Sequence, residues 1–214
     1  MIPRDAITGL VLCGGRGSRM GGLEKGLQHF NGQPLVRTAL QRLQPQVGRL
    51  MISANRHLER YAEEGVPVVA DTLPDQPGPL AGLLSGLEHC NTEWLVCVPC
   101  DAPWFPLDLV ERLWTAMSMA GAPAAVAASG DAHRMQPVFA LTQRPLAARL
   151  RVYLSTGERR AQGWWHSVRA AQVPFEEGPN GRAFDNLNTL EALRVTQQVT
   201  PPAPPDADGA PPPP

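Results

Sequence analysis

The feature that most narrows the fold is an alternation along the chain. Short, unbroken apolar runs are separated by longer stretches of helical character. The runs cover Ile7–Leu12, Arg49–Ala54, Val66–Ala70, Glu93–Pro99, Ala124–Ala128, Gln136–Leu141 and Ala170–Phe175. Several are apolar at successive positions rather than at alternate ones, as in strands covered on both faces. Helices are expected between them over Pro34–Leu43, Pro79–His89, Pro106–Met119 and Arg144–Leu154, three of which open on a proline. A last helix is expected over Thr189–Gln198, with Asn188 as N-cap and Glu191 three residues on, in the manner of a capping box. Strand and helix in repeated succession predict an α/β fold. The expectation is a single Rossmann-like three-layer domain over residues 1–198, with a mostly parallel sheet and helices on both faces. Residues 199–214 form a Pro-rich tail in which eight of the 23 prolines fall. Nothing in it can bury a core, so it is expected to be disordered.

Composition removes several functions. With 214 residues, 43% of them apolar and 18% charged, the chain can bury a real core. A net charge of −1 provides no basic field for nucleic acid or for an anionic membrane surface. No apolar run approaches the roughly 20 residues of a membrane helix. The first run ends in Gly14-Gly15 and is too short for a signal peptide, so a cytoplasmic location is expected. Cys97 and Cys100 have C-x-x-C spacing, but Cys97 lies inside an apolar run and no second ligand pair accompanies it. Together with Cys13 and Cys90 they read as buried thiols, neither a redox pair nor a zinc site.

In open parallel sheets, ligands bind beyond the carboxyl ends of the strands. Beyond the first run comes Leu12-Cys13-Gly14-Gly15-Arg16-Gly17-Ser18-Arg19-Met20-Gly21-Gly22, with five glycines in nine residues. Such a stretch can turn its backbone N–H groups toward an anion. Arg16, Arg19 and Lys25 add charge, and Lys25 is the only lysine beside 18 arginines. The pattern suits a polyphosphate. It is not a Walker A loop, because Lys25 follows Glu24, and the spacing of Gly15, Gly17 and Gly21 misses the dinucleotide fingerprint by one. Asp101 closes the fourth run, where a carboxylate can hold Mg²⁺ on phosphate oxygens. Asp71, after the third run, reads either as a ligand or as a turn acid. Gln76-Pro77-Gly78-Pro79-Leu80-Ala81-Gly82 opens a helix with small residues, which lets a ligand ring approach the backbone.

Leu12-Cys13-Gly14-Gly15, Arg19-Met20-Gly21-Gly22, Lys25-Gly26, Ala54-Asn55-Arg56, Pro77–Gly82 and Pro99-Cys100-Asp101 together resemble the molybdenum cofactor guanylyltransferase family, within the nucleotidyltransferases of the sugar-nucleotide type. Gly157-Glu158-Arg159-Arg160 and Phe184–Thr189 extend the resemblance over about residues 7–198. It implies transfer of GMP from Mg-GTP to molybdopterin, with or without Mo, releasing pyrophosphate. Leu12, Cys13 and Gly14 would then touch the nucleotide through backbone groups, and Gly15 of the same loop and Gly78 and Gly82 of the Gln76–Gly82 loop would join them in binding it. Lys25 would bind phosphates with Arg19 beside it, Asp71 would help hold the nucleotide, and Asp101 would ligate Mg²⁺. Arg159, Asn186 and Asn188 would face the pterin, although Asn188 serves equally as a helix cap. Ser53 occupies the place of a common nucleotide-contacting Asn, and Cys13 that of a usual Ala. Molybdopterin-loading proteins and recipient molybdoenzymes are the partners implied. Alternatives are a molybdopterin cytidylyltransferase, a sugar-1-phosphate nucleotidyltransferase, or a non-catalytic carrier of nucleotide or cofactor.

Overall fold

The computed structural model describes residues 4–14, 24–73, 78–130, 133–176 and 182–187. In chain order the strands are β1 (Ile7–Leu12), β2 (His29–Phe30), β3 (Gln33–Pro34), β4 (Arg49–Ser53), β5 (Val68–Val69), β6 (Trp94–Pro99), β7 (Ala124–Ser129), β8 (Arg134–Gln143) and β9 (Ala171–Phe175). The α-helices are α1 (Leu35–Leu43), α2 (Leu58–Ala62), α3 (Pro79–His89), α4 (Leu109–Ala120), α5 (Leu146–Ser155) and α6 (Ala161–Ser167). Seven strands form one sheet in the order β5-β4-β1-β6-β8-β7-β9. Neighbours run parallel except at β8, which is antiparallel to both β6 and β7. The fold is thus the expected three-layer α/β arrangement.

The unbroken apolar runs are explained by cover on both sides. Alternate residues of β1 point to opposite layers. Ile7 and Val11 join a core with α1 and α4, while Leu10 and Leu12 join a second core with α3, α5 and α6. Two close approaches set the helices on the sheet. A Cβ at Gly9 would lie 2.6 Å from Leu43 Cδ2, so α1 rests directly on β1. A Cβ at Gly82 would lie 2.6 Å from Ser53 Oγ, and one at Gly86 2.6 Å from Leu10 Cδ2, so α3 rests on β4 and β1 in the same way.

All seven strand expectations are met, and α3 has the bounds expected of it. Three details differ. Pro34 does not open α1; it pairs with His29 in the small β2–β3 hairpin, and the helix begins at Leu35. Pro106 does not open α4 either. The helix begins at Leu109, and Gln46 Oε1 accepts the Val110 N–H at 3.0 Å, satisfying one of the donors left open at a helix start. The sequence also gives no notice of α2 or α6, whose Trp164 and Trp165 are 1% exposed and belong to the core. The expected helix Thr189–Gln198 and the tail at 199–214 lie outside the described residues. The four cysteines are buried and unbridged, and burial pushes the Cys97 thiol up to about 12. No helix among the described residues is long and apolar enough to cross a membrane.

Candidate functional site

β1 and β6 are parallel neighbours that end together, with Leu12 opposite Pro99. Cys13 and Cys100 therefore leave the sheet side by side. Their backbones extend the ladder: Cys100 N–H donates to Leu12 O at 3.1 Å and Cys13 N–H to Ser53 O at 2.8 Å. Asp101 follows at once. Its Oδ2 accepts a hydrogen bond from Lys25 Nζ at 3.2 Å. The two side chains are only 12% and 27% exposed, so this ion pair is screened less than one on the open surface. A lysine and an aspartate separated by 76 residues are thus brought together at the carboxyl edge of the sheet. A polyphosphate carrying a divalent cation complements both charges there.

The residue before Lys25 is anchored from below. Glu24 is buried, and Arg56 Nη2 lies 2.6 Å from its Oε1. The Tyr61 hydroxyl donates to its Oε2 at 3.3 Å. Gly26 fits over that tyrosine because it lacks a side chain; a Cβ there would lie 2.7 Å from Tyr61 Oη. Burial raises the Tyr61 phenol far above its ordinary range. Burial also raises the Cys13 thiol, with Cys100 beside it adding to the shift. Both shifts favour the protonated phenol and thiol.

Asp71 is reached across β4, which lies between β5 and β1. Asn55, just beyond β4, holds it at two points. Asn55 Nδ2 donates to Asp71 Oδ2 at 2.8 Å, and Asp71 N–H donates to Asn55 Oδ1 at 2.7 Å. The other carboxyl oxygen of Asp71 is buried without a hydrogen-bond partner among the described residues. Burial raises this carboxyl, and the Asn55 hydrogen bond pulls it partly back. Gly78 takes φ +91° immediately before α3, a conformation that favours glycine.

The sequence candidates divide as follows. Lys25, Asp101, Asp71, Leu12, Cys13 and Gly14 all lie at the carboxyl ends of β1, β4, β5 and β6. Leu12 O and Cys13 N–H are engaged in the sheet, whereas Gly14 is exposed. Asn186 is exposed beside this edge, because the Leu187 N–H donates to Asp101 O at 2.7 Å. Two expectations need correction. Ser53 is buried with its Oγ toward Gly82, so its side chain packs strand against helix instead of facing a ligand. The open side of Gly82 meets Ser53 and Leu12, so Gly82 lets α3 approach the sheet. Arg159 Nη1 donates to the carbonyls of Leu154 and Glu158 at 2.7 Å each, closing the end of α5. Gly15, Arg19 and Asn188 lie outside the described residues. Sequence reasoning assigned no role to Glu24, Asn55, Arg56 or Tyr61. The available clue was a polar dipeptide, Asn55-Arg56, directly after a buried strand.

No group of three or more His, Cys, Asp or Glu among the described residues is arranged to hold a metal. One carboxylate at an edge is nonetheless the donor set that suits Mg²⁺ arriving on a nucleotide, since that ion takes one or two carboxylates together with phosphate oxygens.

Residues 9–172 match the family model described as the MobA-like NTP transferase domain. The chain belongs to this family. The MobA-like chain is 49% identical over 198 residues to a molybdenum cofactor guanylyltransferase of Cupriavidus pinatubonensis, covering 91% of this chain and 98% of that one. It is 48% identical over 201 residues to a protein of the same name from Ralstonia nicotianae, covering 91% and 97%. A solved structure, molybdopterin-guanine dinucleotide biosynthesis protein A from Archaeoglobus fulgidus, superposes with a TM-score of 0.70 at 20% identity over 90% of this chain and 97% of that one. That likeness is one of fold. The MobA-like assignment agrees with the resemblance read from the sequence.

Proposed function

We propose that this nucleotidyltransferase moves GMP from Mg-GTP to molybdopterin, with or without Mo, forming the guanine dinucleotide cofactor and pyrophosphate. The observation that carries the reading is the Lys25–Asp101 pair, 3.2 Å apart at the carboxyl edge of β1 and β6. The names of relatives about half identical to this chain support guanine as the base and molybdopterin as the acceptor. The same reading places the protein in the cytoplasm, with molybdopterin-loading proteins and recipient molybdoenzymes as partners.

The acceptor is a phosphate monoester, ionised at neutral pH, so no general base is required. Its oxygen attacks the α-phosphorus of GTP, an O–P bond forms, the bond to the β-phosphate oxygen breaks, and pyrophosphate leaves. The difficulty is bringing one anion against another in line. Lys25 places an ammonium against the phosphates, and Asp101 presents the carboxylate that would hold Mg²⁺ there. That ion, when bound, supplies further charge neutralisation. Gly14 and the glycines after it offer backbone N–H groups, and Asp71 holds the nucleoside end. Asn186, beside Asp101, faces the acceptor, and Arg159 is the second acceptor-side candidate.

The test is pyrophosphate release with molybdopterin and Mg²⁺, offering GTP, CTP, ATP and UTP in turn. Turnover with GTP supports the reading. Turnover with CTP alone would move the assignment to a cytidylyltransferase. Binding of GTP without pyrophosphate release would make the protein a carrier.

A further inference from the structure

We propose that Asn55 and Arg56 act as a two-headed staple, holding Asp71 with one side chain and the Lys25 segment with the next. They are positioning residues. The inference rests on the nucleotide-contact reading of Asp71 and Lys25 above.

β4 is the strand between the two loops that carry those contacts. It ends at Ser53, and Ala54 N–H still bonds Val69 O at 3.0 Å. The next two residues point their functional groups in different directions. Asn55 meets Asp71 with both ends of its amide, at 2.8 and 2.7 Å. An aspartate in its place would offer no donor and would set two carboxylates together. Arg56 meets Glu24 at 2.6 Å, the short distance of a charge-assisted hydrogen bond. Tyr61, also from the segment after β4, takes the second oxygen of Glu24. Both oxygens of this buried carboxylate are therefore held by one short stretch of chain. Glu24 in turn fixes its own neighbourhood: its carbonyl accepts from Leu27 N–H at 3.3 Å and Gln28 Nε2 at 3.0 Å. Lys25 is the very next residue, and its Nζ reaches Asp101. Arg56 and Tyr61 thus anchor the residue directly before Lys25.

The two heads have separable effects. Arg56 works through Glu24 on the ammonium that meets the phosphates, so its loss appears in turnover. Asn55 works through Asp71 on the nucleoside end, so its loss appears in KM for the nucleotide. The experiment measures amide hydrogen exchange and steady-state kinetics on the full chain. Arg56→Met is expected to speed exchange at Leu27 and Gln28 and to lower kcat about tenfold, as a modest misplacement of a catalytic group does. Its KM for GTP should change little, and Arg56→Lys should recover part of the turnover. Asn55→Asp is expected to speed exchange at the Asp71 amide and to raise KM for GTP about tenfold, the worth of one hydrogen bond to a charged group, with kcat nearly kept. If Arg56→Met does not fold, Glu24→Gln and Arg56→Lys interrogate the same segment. Wild-type exchange and kinetics in both variants overturn the staple, and so does equal loosening of both segments by either variant. Exchange is read without any reaction. If wild-type protein fails to turn over GTP, the functional reading falls while the exchange data still decide the staple.

Discussion

At the carboxyl ends of β5, β4, β1 and β6, polar pairs tie one loop to the next: Asn55 to Asp71, Arg56 to Glu24, Lys25 to Asp101. Across β8, β7 and β9 the closure is mainly aromatic. Phe184 stands edge-on to Phe139 at 4.9 Å and to Phe175 at 5.5 Å, and Trp164 and Trp165 pack beneath β8 and β7. A Gln136–Ser129 hydrogen bond is a polar contact in that half. The difference suits the proposed function. Loops that meet an anionic ligand need charged groups at fixed places, and directional bonds fix them. A half that mainly supports the sheet is stabilised by area removed from water.

The contrast can be broken by substitution. Trp164→Ala should cost about 3–5 kcal/mol of stability, read by urea denaturation, with pyrophosphate release per folded molecule unchanged. Asp101→Ala should do the reverse. Pyrophosphate release should fall about 10²–10³-fold, the usual effect of removing one charge-stabilising group, while the urea midpoint hardly moves and GTP binding weakens much less. If the two variants lose stability equally, the halves are not specialised. Gly26→Ala sharpens the picture, because its methyl would meet Tyr61 Oη. It should cost about 1–3 kcal/mol by overpacking, and Tyr61→Phe in the same chain should recover part of that loss.

The smallest effect concerns pH. The Asp71 carboxyl is raised from its ordinary value of 3.8, mainly by burial. Above that value the folded chain keeps a proton that the unfolded chain has released. The contribution is therefore full below 3.8 and declines as pH rises through the raised folded value. Asp71→Asn should lack this decline. The difference in urea midpoint between wild type and variant, followed upward through acidic pH, measures it.

Much of this arrangement is legible in the sequence because it is local. The run Ile7–Leu12 and the helix Pro79–His89 appear with their expected bounds, since apolar continuity and a leading proline act within a few residues. The Lys25–Asp101 meeting is legible too, because both follow strands of one sheet and all parallel strands present their carboxyl ends on one edge. The staple is not. Arg56 finds Glu24 and Asn55 finds Asp71 only once β4 lies between β1 and β5, and spacing along the chain carries no trace of strand order. Ser53 differs for a related reason: the resemblance puts it where a nucleotide-contacting Asn is common, and only the packing of Gly82 on β4 shows its side chain turned toward α3. Trp164 and Trp165 lie on a seven-residue helix too short for its periodicity to stand out.

The Leu187 N–H on the Asp101 carbonyl carries a consequence for biosynthesis. Lys25, Asp71 and Asp101 all leave the ribosome well before residue 187. A nascent chain can therefore assemble the parallel half of its sheet while the backbone after β6 still lacks its final tether. Chains held on the ribosome with residue 187 still inside the exit tunnel should lack this tether, and protection of the Leu187 N–H should appear only once that residue has emerged.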